Sequence, residues 1–335
     1  AKIKRKQYYT ADMDKPMEIS LLIALLLTVM PSLIWLLLKQ IHSPWWLENA
    51  LSTPFIILAI YSILMLAFIY FISFLNSLGY FLINFFVVIL LNNNLRLNKN
   101  TCSDPIIFFQ FNMKYNEGEH EINELIDHLI TYKYHLITLQ GVSQKLKRQI
   151  VEKLNPHYPY FILGESGHQK IYSDQLLFSR YGFSNIKYYK NGHSSFLISS
   201  LWKLPFSDIN LHTLHPPSPR TEKLWLTRNK TLYQLKDALK NSSVESSLII
   251  GDLNLSKHSN RIKLLKRGMN TEFINSWPHK SYIFGLAIDH FWVSKPAKIC
   301  GRQRINKFSW SDHYAIKTQV DFKYSWREAL NRYVE

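Results

Sequence analysis

Apolar and polar positions change their rhythm near residue 92. Before that point the apolar positions run almost unbroken. Ile19 to Leu38, "ISLLIALLLTVMPSLIWLLL", is twenty residues without a charge, enough to cross about 30 Å of hydrocarbon. Pro31 inside it is tolerable in a membrane helix. Pro54 to Leu91 is uncharged over thirty-eight residues, and Asn76, Ser77 and Gly79 mark a break within it. The pattern predicts a basic tail over 1–18 and membrane helices near 19–38, 55–75 and 78–91, the last of them short. A cleaved signal peptide would also carry the basic start "AKIKRK". The apolar run is long for one, however, and no small-x-small site follows it, so an anchor is the better reading. Lys and Arg beside a span stay in the cytoplasm, and Trp45-Trp46 sits where an interfacial aromatic belt would on the far side.

After a polar, unpatterned linker over 92–104, the rhythm becomes that of a globular domain over 105–322, with a short tail at 323–335. "PIIFFQFNM" and "HLITLQGV" read as buried strands. Between them Ile122, Leu125, Ile126, Leu129 and Ile130 recur at helical spacing, with acids in the first turn. A second helix, "SQKLKRQIVEKL", follows. "DQLLFSR", "NIKYYKNGHSSFLISSLWKL" and "DINLHTLHP" are successive strands, with Asn191-Gly192 as a hairpin turn. A helix is predicted over "RNKTLYQLKDALKN", residues 228–241, and a buried strand over "SSLIIGDLN". This alternation shows no βαβ rhythm and suggests packed sheets with helices outside.

Charge adds one element to this picture. From Thr101 onward the chain has 32 Lys+Arg and 20 Asp+Glu, a net charge of +12. Such a surface suits anionic partners: nucleic acid, lipid head groups or phosphorylated small molecules. Cys102 and Cys300 stand far apart and match no metal or disulfide framework.

The chemistry gathers at strand ends. "AIDHFWVS" and "SWSDHYAI" each set an Asp-His pair against a strand, about twenty residues apart. Other strands deliver Asn112, Gln140-Gly141, His215, Asp252 and Asn254. Singly, such residues cap turns. Their recurrence in one domain points to one site.

The order of these motifs resembles the endonuclease/exonuclease/phosphatase superfamily, specifically a membrane-anchored bacterial branch. "FNM", "LITLQGV", "LLFSR", "TLHPPSP", "GDLN", "AIDHFWVS" and "SDH" are similar to its successive motifs. The resemblance implies an α/β four-layer sandwich of two mixed β-sheets flanked by helices, preceded by two or three transmembrane helices. It also implies that Asp289 holds His313, as a carboxylate holds the imidazole of a catalytic triad, with His290 in support. By the same resemblance Asp252 orients or deprotonates a water, Asn254 hydrogen-bonds the phosphate, and His215 contacts it or protonates the leaving group. Mg²⁺, or Mn²⁺, would sit weakly held among hard oxygens near Asn112 and Asp312. Arg180 and Arg228 are expected as phosphate or substrate contacts.

One residue departs from the pattern. The family's metal-binding glutamate is Gly141 here. Asp174 or Glu165 can supply the charge, the metal can be held loosely, or the domain can be a non-catalytic module that binds phosphate or nucleic acid. The leading expectation is a Mg-dependent phosphoester hydrolase in a bacterial inner membrane, its catalytic domain outside the cytoplasm. Phosphodiesters of nucleic acid and of phospholipid head groups both fit as substrates, and no obligate protein partner is evident.

Overall fold

A computed structural model describes residues 43–55, Cys102 and 104–322, apart from 168–169, 243, 245, 266–267 and 281–284, together with short stretches before residue 87. The expected spans at 19–38, 55–75 and 78–91 lie mostly outside the described residues. Among those described, no helix is long and apolar enough to cross a membrane. The chain divides into two units, one of residues 1–41 and 54–93, the other of 42–53 and 94–335. The second unit carries everything that follows.

Its first element is a short helix, α1 (Trp45–Leu51), followed after the linker by β1 (Ile106–Asn112), α2 (Glu119–Tyr132), β2 (Leu136–Gln140) and α3 (Gln144–Leu154). Then come β3 (Tyr160–Ile162), β4 (Glu165–Ser166), β5 (Ile171–Tyr172), β6 (Leu176–Ser179), β7 (Phe183–Asn191), β8 (Ser194–Lys203) and β9 (Asp208–Leu214). The rest is α4 (Glu222–Lys240), β10 (Ser247–Asp252), a 3₁₀ turn, β11 (Met269–Thr271), β12 (Asp289–Ser294), β13 (Lys298–Ile305) and β14 (Ala315–Asp321). They form two mixed sheets. One is ordered β13-β14-β1-β2-β6-β3, the other β11-β12-β10-β9-β8-β5-β4, with β7 also paired to β8.

Side-chain alternation explains the layering. In β1, Phe109 and Phe111 pack with Ile122, Leu125 and Leu129 of α2 and Ile150 of α3. Phe108, on the opposite face, packs with Leu248, Ile250 and Phe291 of the second sheet. There Ile249 and Trp292 turn outward against Leu232 and Leu235 of α4. The layers therefore run helix, sheet, sheet, helix.

Three expectations need correction. β1 and β2 are parallel and joined by α2, and β9 and β10 are parallel and joined by α4, so two βαβ units exist. The parallel pairings are hidden in the sequence rhythm by the antiparallel hairpins around them. Second, α4 begins at Glu222, not Arg228, because the Thr221 side chain accepts the Leu224 N–H and caps it there. Third, Cys102 and Cys300 are joined as a disulfide across 198 residues, with 5.9 Å between their Cα atoms. Only the fold brings them together.

Candidate active site

The strand directions gather the polar residues at one end of both sheets. β1, β2, β9 and β10 finish there, delivering Asn112, Gln140, His215 and Asp252. β12 is antiparallel to β10 and begins there, with Asp289 paired in register to Asp252. β14 is antiparallel to β1, so His313 and Asp312, just ahead of it, arrive at the same place. β6 is antiparallel to β2, which puts Asp174, ahead of it, at the site.

Asp252 is the centre. It is 1% exposed, and its Oδ2 accepts from Asn112 Nδ2 at 2.9 Å. The same oxygen lies 3.6 Å from His313 Nε2 and 3.8 Å from His215 Nε2. Each imidazole is held from behind. His313 Nδ1 donates to Asp289 Oδ2 at 2.7 Å, and His215 Nδ1 donates to Asp174 Oδ2 at 2.8 Å. Two carboxylate-imidazole pairs thus flank one carboxylate, fixing both tautomers. The pairing of Asp289 with His313 is where the sequence put it. That of Asp174 with His215 is an addition, since only the fold brings residues 41 apart into contact.

The charges follow from these contacts. Burial disfavours imidazolium, but Asp289 and Asp252 outweigh it at His313, and Asp174 and Asp252 at His215. Both rise to about 9. Burial also works against the charge of Asp289 and Asp174, yet their histidines hold both below the usual carboxylate range. Asp252 moves the other way: burial and the nearby Asp289 charge raise it, against the pull of His313 and His215. A carboxylate so raised is a stronger base.

A pH dependence follows. The histidine contributions to stability are complete below about 6.5, the ordinary histidine value, and fade as pH rises through about 9. The Asp289 and Asp174 contributions are complete above the ordinary carboxylate value near 3.8 and fade on acidification. Urea titrations should therefore show unfolding free energy falling from pH 6.5 toward 9. A flat or rising curve would contradict the two pairs.

The remaining expected residues divide. Asn254 sits at φ 45°, with its N–H on Asp252 Oδ1 at 2.8 Å and its amide on Pro216 O at 2.9 Å. It lines the cavity while bracing the proline loop. Arg180 follows the far end of β6, where Ser179 pairs with Leu136 at the start of β2. It is not brought to the site. Arg228 lines the cavity but is 2% exposed and spends its guanidinium on Glu48 at 2.8 Å and on Asn254 O at 3.3 Å. It anchors rather than waits for a substrate. Glu165 accepts from Gln144 and does not line the cavity. His290, neutral and pushed down to about 4 by burial, donates to Leu255 O at 2.6 Å and accepts from Trp292. Its role is to hold the core together.

Glu48 belongs to α1, and it too is 4% exposed. It takes Arg228 and Arg261, each at 2.8 Å, and the Trp225 indole N–H at 2.9 Å. Stripping one partner from such a buried pair costs about 3–5 kcal/mol. This clamp makes residues 43–53 a wall of the active-site cavity, which is about 620 Å³ and lined there by Trp45, Asn49, Ser52 and Thr53.

The expected magnesium can be tested against the donors present. Asn112 Oδ1 already accepts the Lys114 N–H at 2.9 Å, which leaves it one lone pair, and its NH₂ faces Asp252. One oxygen of Asp312 carries both the Lys114 ammonium and the Trp277 indole N–H. Gly141 lies at φ 59°, and a Cβ there would stand 2.7 Å from Asn112 Oδ1 and 3.0 Å from Lys114 N. A carboxylate has no room in that position. Asp252, Asp289 and His313 lie close enough to share an ion, and of the three Asp289 and His313 are hydrogen-bonded to each other. With no carboxylate at 141, the donors left for Mg²⁺ are few: Asp312 Oδ1, which is buried without a hydrogen-bond partner, and a lone pair of Asn112 Oδ1, against the one or two carboxylates such an ion usually takes.

Comparison with known proteins bears on the fold and the family. A family model described as the endonuclease/exonuclease/phosphatase family matches residues 107–313. No curated protein matches the chain. Among solved structures, D. rerio TDP2 complexed with single strand DNA product is 14% identical, covering 65% of this chain and 100% of that one, with a TM-score of 0.53. Beta toxin from Staphylococcus aureus, a mutant with bound magnesium ions, is 15% identical, covering 64% and 99%, with a TM-score of 0.51. A family protein from Leptotrichia buccalis is 14% identical, covering 65% and 100%, with a TM-score of 0.50. These likenesses concern the fold. The family match spans nearly all of the two-sheet unit and all of the site residues, and by it the chain belongs to the endonuclease/exonuclease/phosphatase family.

Proposed function

We propose that this protein hydrolyses phosphoesters at the Asp252 site. The observation that carries the reading is Asp252 held between two imidazoles, each backed by its own carboxylate, on the floor of one cavity. Water attacks phosphorus in line while Asp252 takes its proton. The bond from phosphorus to the leaving oxygen breaks, and that oxygen takes the proton of His215. Charged His313 lies on the other side and stabilises the oxygens of the pentacovalent state, the term that usually dominates such reactions. Asp289 and Asp174 keep both rings in position.

The solved relatives act as a guide to the substrate only through their own ligands: one holds a DNA product. Phosphodiesters of nucleic acid and of lipid are both within the proposal. The test is a panel of DNA, RNA, phosphoinositides and sphingomyelin offered to the full chain. Hydrolysis of at least one class is expected. Phosphate binding with no hydrolysis of any would favour a binding module instead.

The proposal also has the apolar runs anchoring the protein in a membrane, with the catalytic unit outside the cytoplasm. Two observations support that side. The disulfide suits an oxidising compartment. In addition, residues 43–53 follow the first apolar run and precede the second, yet they pack into the catalytic unit through Glu48. If 54–91 crossed once, the two partners of that clamp would be on opposite faces. Two crossings keep them together, making three spans in all. Protease added to spheroplasts should digest the catalytic unit, and full protection would reverse the assignment.

A further inference from the structure

Resting on the hydrolase reading above, we propose that the Lys114 ammonium, held on Asp312, supplies the positive charge that a metal supplies elsewhere, so that this site works without a divalent ion. Three observations converge on it. Lys114 and Asp312 both line the cavity with Asn112, His215, Asp252 and His313. Lys114 forms its ion pair with Asp312 while its side chain stays 60% exposed, so the ammonium is both fixed and reachable by a phosphate. Ammonium clamps stabilise transferring phosphoryl groups by the same electrostatics as a cation.

The second observation is the backbone that carries it. Lys114 and Tyr115 have φ of 50° and 57°, two consecutive left-handed residues that are not glycine. Each costs on the order of 1–2 kcal/mol, and such strain persists only where the surroundings impose it. Here they do. Asn112 Oδ1 accepts the Lys114 N–H at 2.9 Å, Gly141 O accepts the Tyr115 N–H at 2.7 Å, and Asp174 accepts the Tyr115 hydroxyl.

The third is Gly141 itself. The turn at 114–115 closes over the space where a side chain at 141 would begin, with Lys114 N 3.0 Å from the ideal Cβ. Absence of a carboxylate at 141 and presence of a cation at 114 are therefore one arrangement. The lysine transfers no proton in it: water gives its proton to Asp252, the leaving oxygen takes one from His215, and Lys114 contributes charge and hydrogen bonds.

Full-length protein in detergent, stripped with EDTA, should hydrolyse bis(p-nitrophenyl) phosphate as fast as with millimolar Mg²⁺ present. Lys114→Met should lower kcat about a hundredfold, and Lys114→Arg should retain much of it. Calorimetry in EDTA should show inorganic phosphate binding to the parent, and weaker binding to Lys114→Met. The inference is overturned if turnover or phosphate binding disappears in EDTA and returns with Mg²⁺, or if Lys114→Met changes neither. Absence of turnover under every metal condition would count against the hydrolase reading alone. In that case, metal-free phosphate binding that depends on Lys114 still upholds the charge replacement.

Discussion

His313→Ala and Asp289→Asn should each lower turnover about a thousandfold or more, and the double mutant should be little worse than either. A carboxylate whose task is to orient and charge an imidazole has nothing left to do once the ring is gone, and triad-like groups are non-additive for this reason. The 2.7 Å contact and full burial make the pair one unit. His290→Ala should separate from both. Its ring stacks on Trp292 and meets Phe273 edge-on, away from the cavity lining. Removing it should cost about 3 kcal/mol of stability, as for other large core truncations, while kcat of the folded enzyme stays near the parent's. Measured kcat and denaturation midpoints for the four variants decide the matter. Equal losses of kcat at His290 and His313 would contradict the assignment.

Gly141→Glu, which restores the family's carboxylate on paper, should harm this protein. From the sequence alone the change is expected to be neutral or harmful if Asp174 or Glu165 already supplies the charge, and to tighten magnesium if the site is only a metal-weakened version of the family's. The backbone reverses the second expectation: φ is 59°, and the first added carbon would overlap Asn112 Oδ1. Backbone strain and overpacking together should cost roughly 2–4 kcal/mol. Pushing Asn112 aside also disturbs the hydrogen bond to Asp252, and a displacement near 1 Å costs about a hundredfold in rate. Gly141→Ala should show much of the same destabilisation, since the clash begins at Cβ. Denaturation curves and Mg²⁺ titrations of both variants test this. A stable Gly141→Glu protein that binds Mg²⁺ more tightly and turns over faster would restore the metal reading.

What the sequence could reveal was set by how local the signal is. α2 was legible because Ile122, Leu125, Ile126 and Leu129 form one buried face. β1, β2, β10 and β12 were legible because strands buried on both faces read as apolar runs. The short β4 and β5 and the charged β13, "KICGRQRI", have no such run to show. At the site, the strand-end motifs brought Asn112, His215, Asp252, Asp289 and His313 to one place, as their order suggested. Arg180 was misread because an arginine after a strand does not reveal which end of the sheet it reaches. Arg228 was misread because its partner, Glu48, lies 180 residues away in a segment that looks like a link between apolar runs. The same distance hides Asp174 behind His215, and no composition announces that Lys114 and Tyr115 turn left-handed.

The central claim is that Asp252 activates water for attack on a phosphoester. Its most direct test is the turnover of bis(p-nitrophenyl) phosphate by the full chain, parent beside Asp252→Ala, prepared identically and shown folded by circular dichroism. The expected result is measurable release of p-nitrophenol by the parent and a loss of about a thousandfold or more in the variant, the scale for removing a base within a catalytic unit. Equal rates in the two proteins would mean that the hydrolysis does not come from this site, and the account would fall with it.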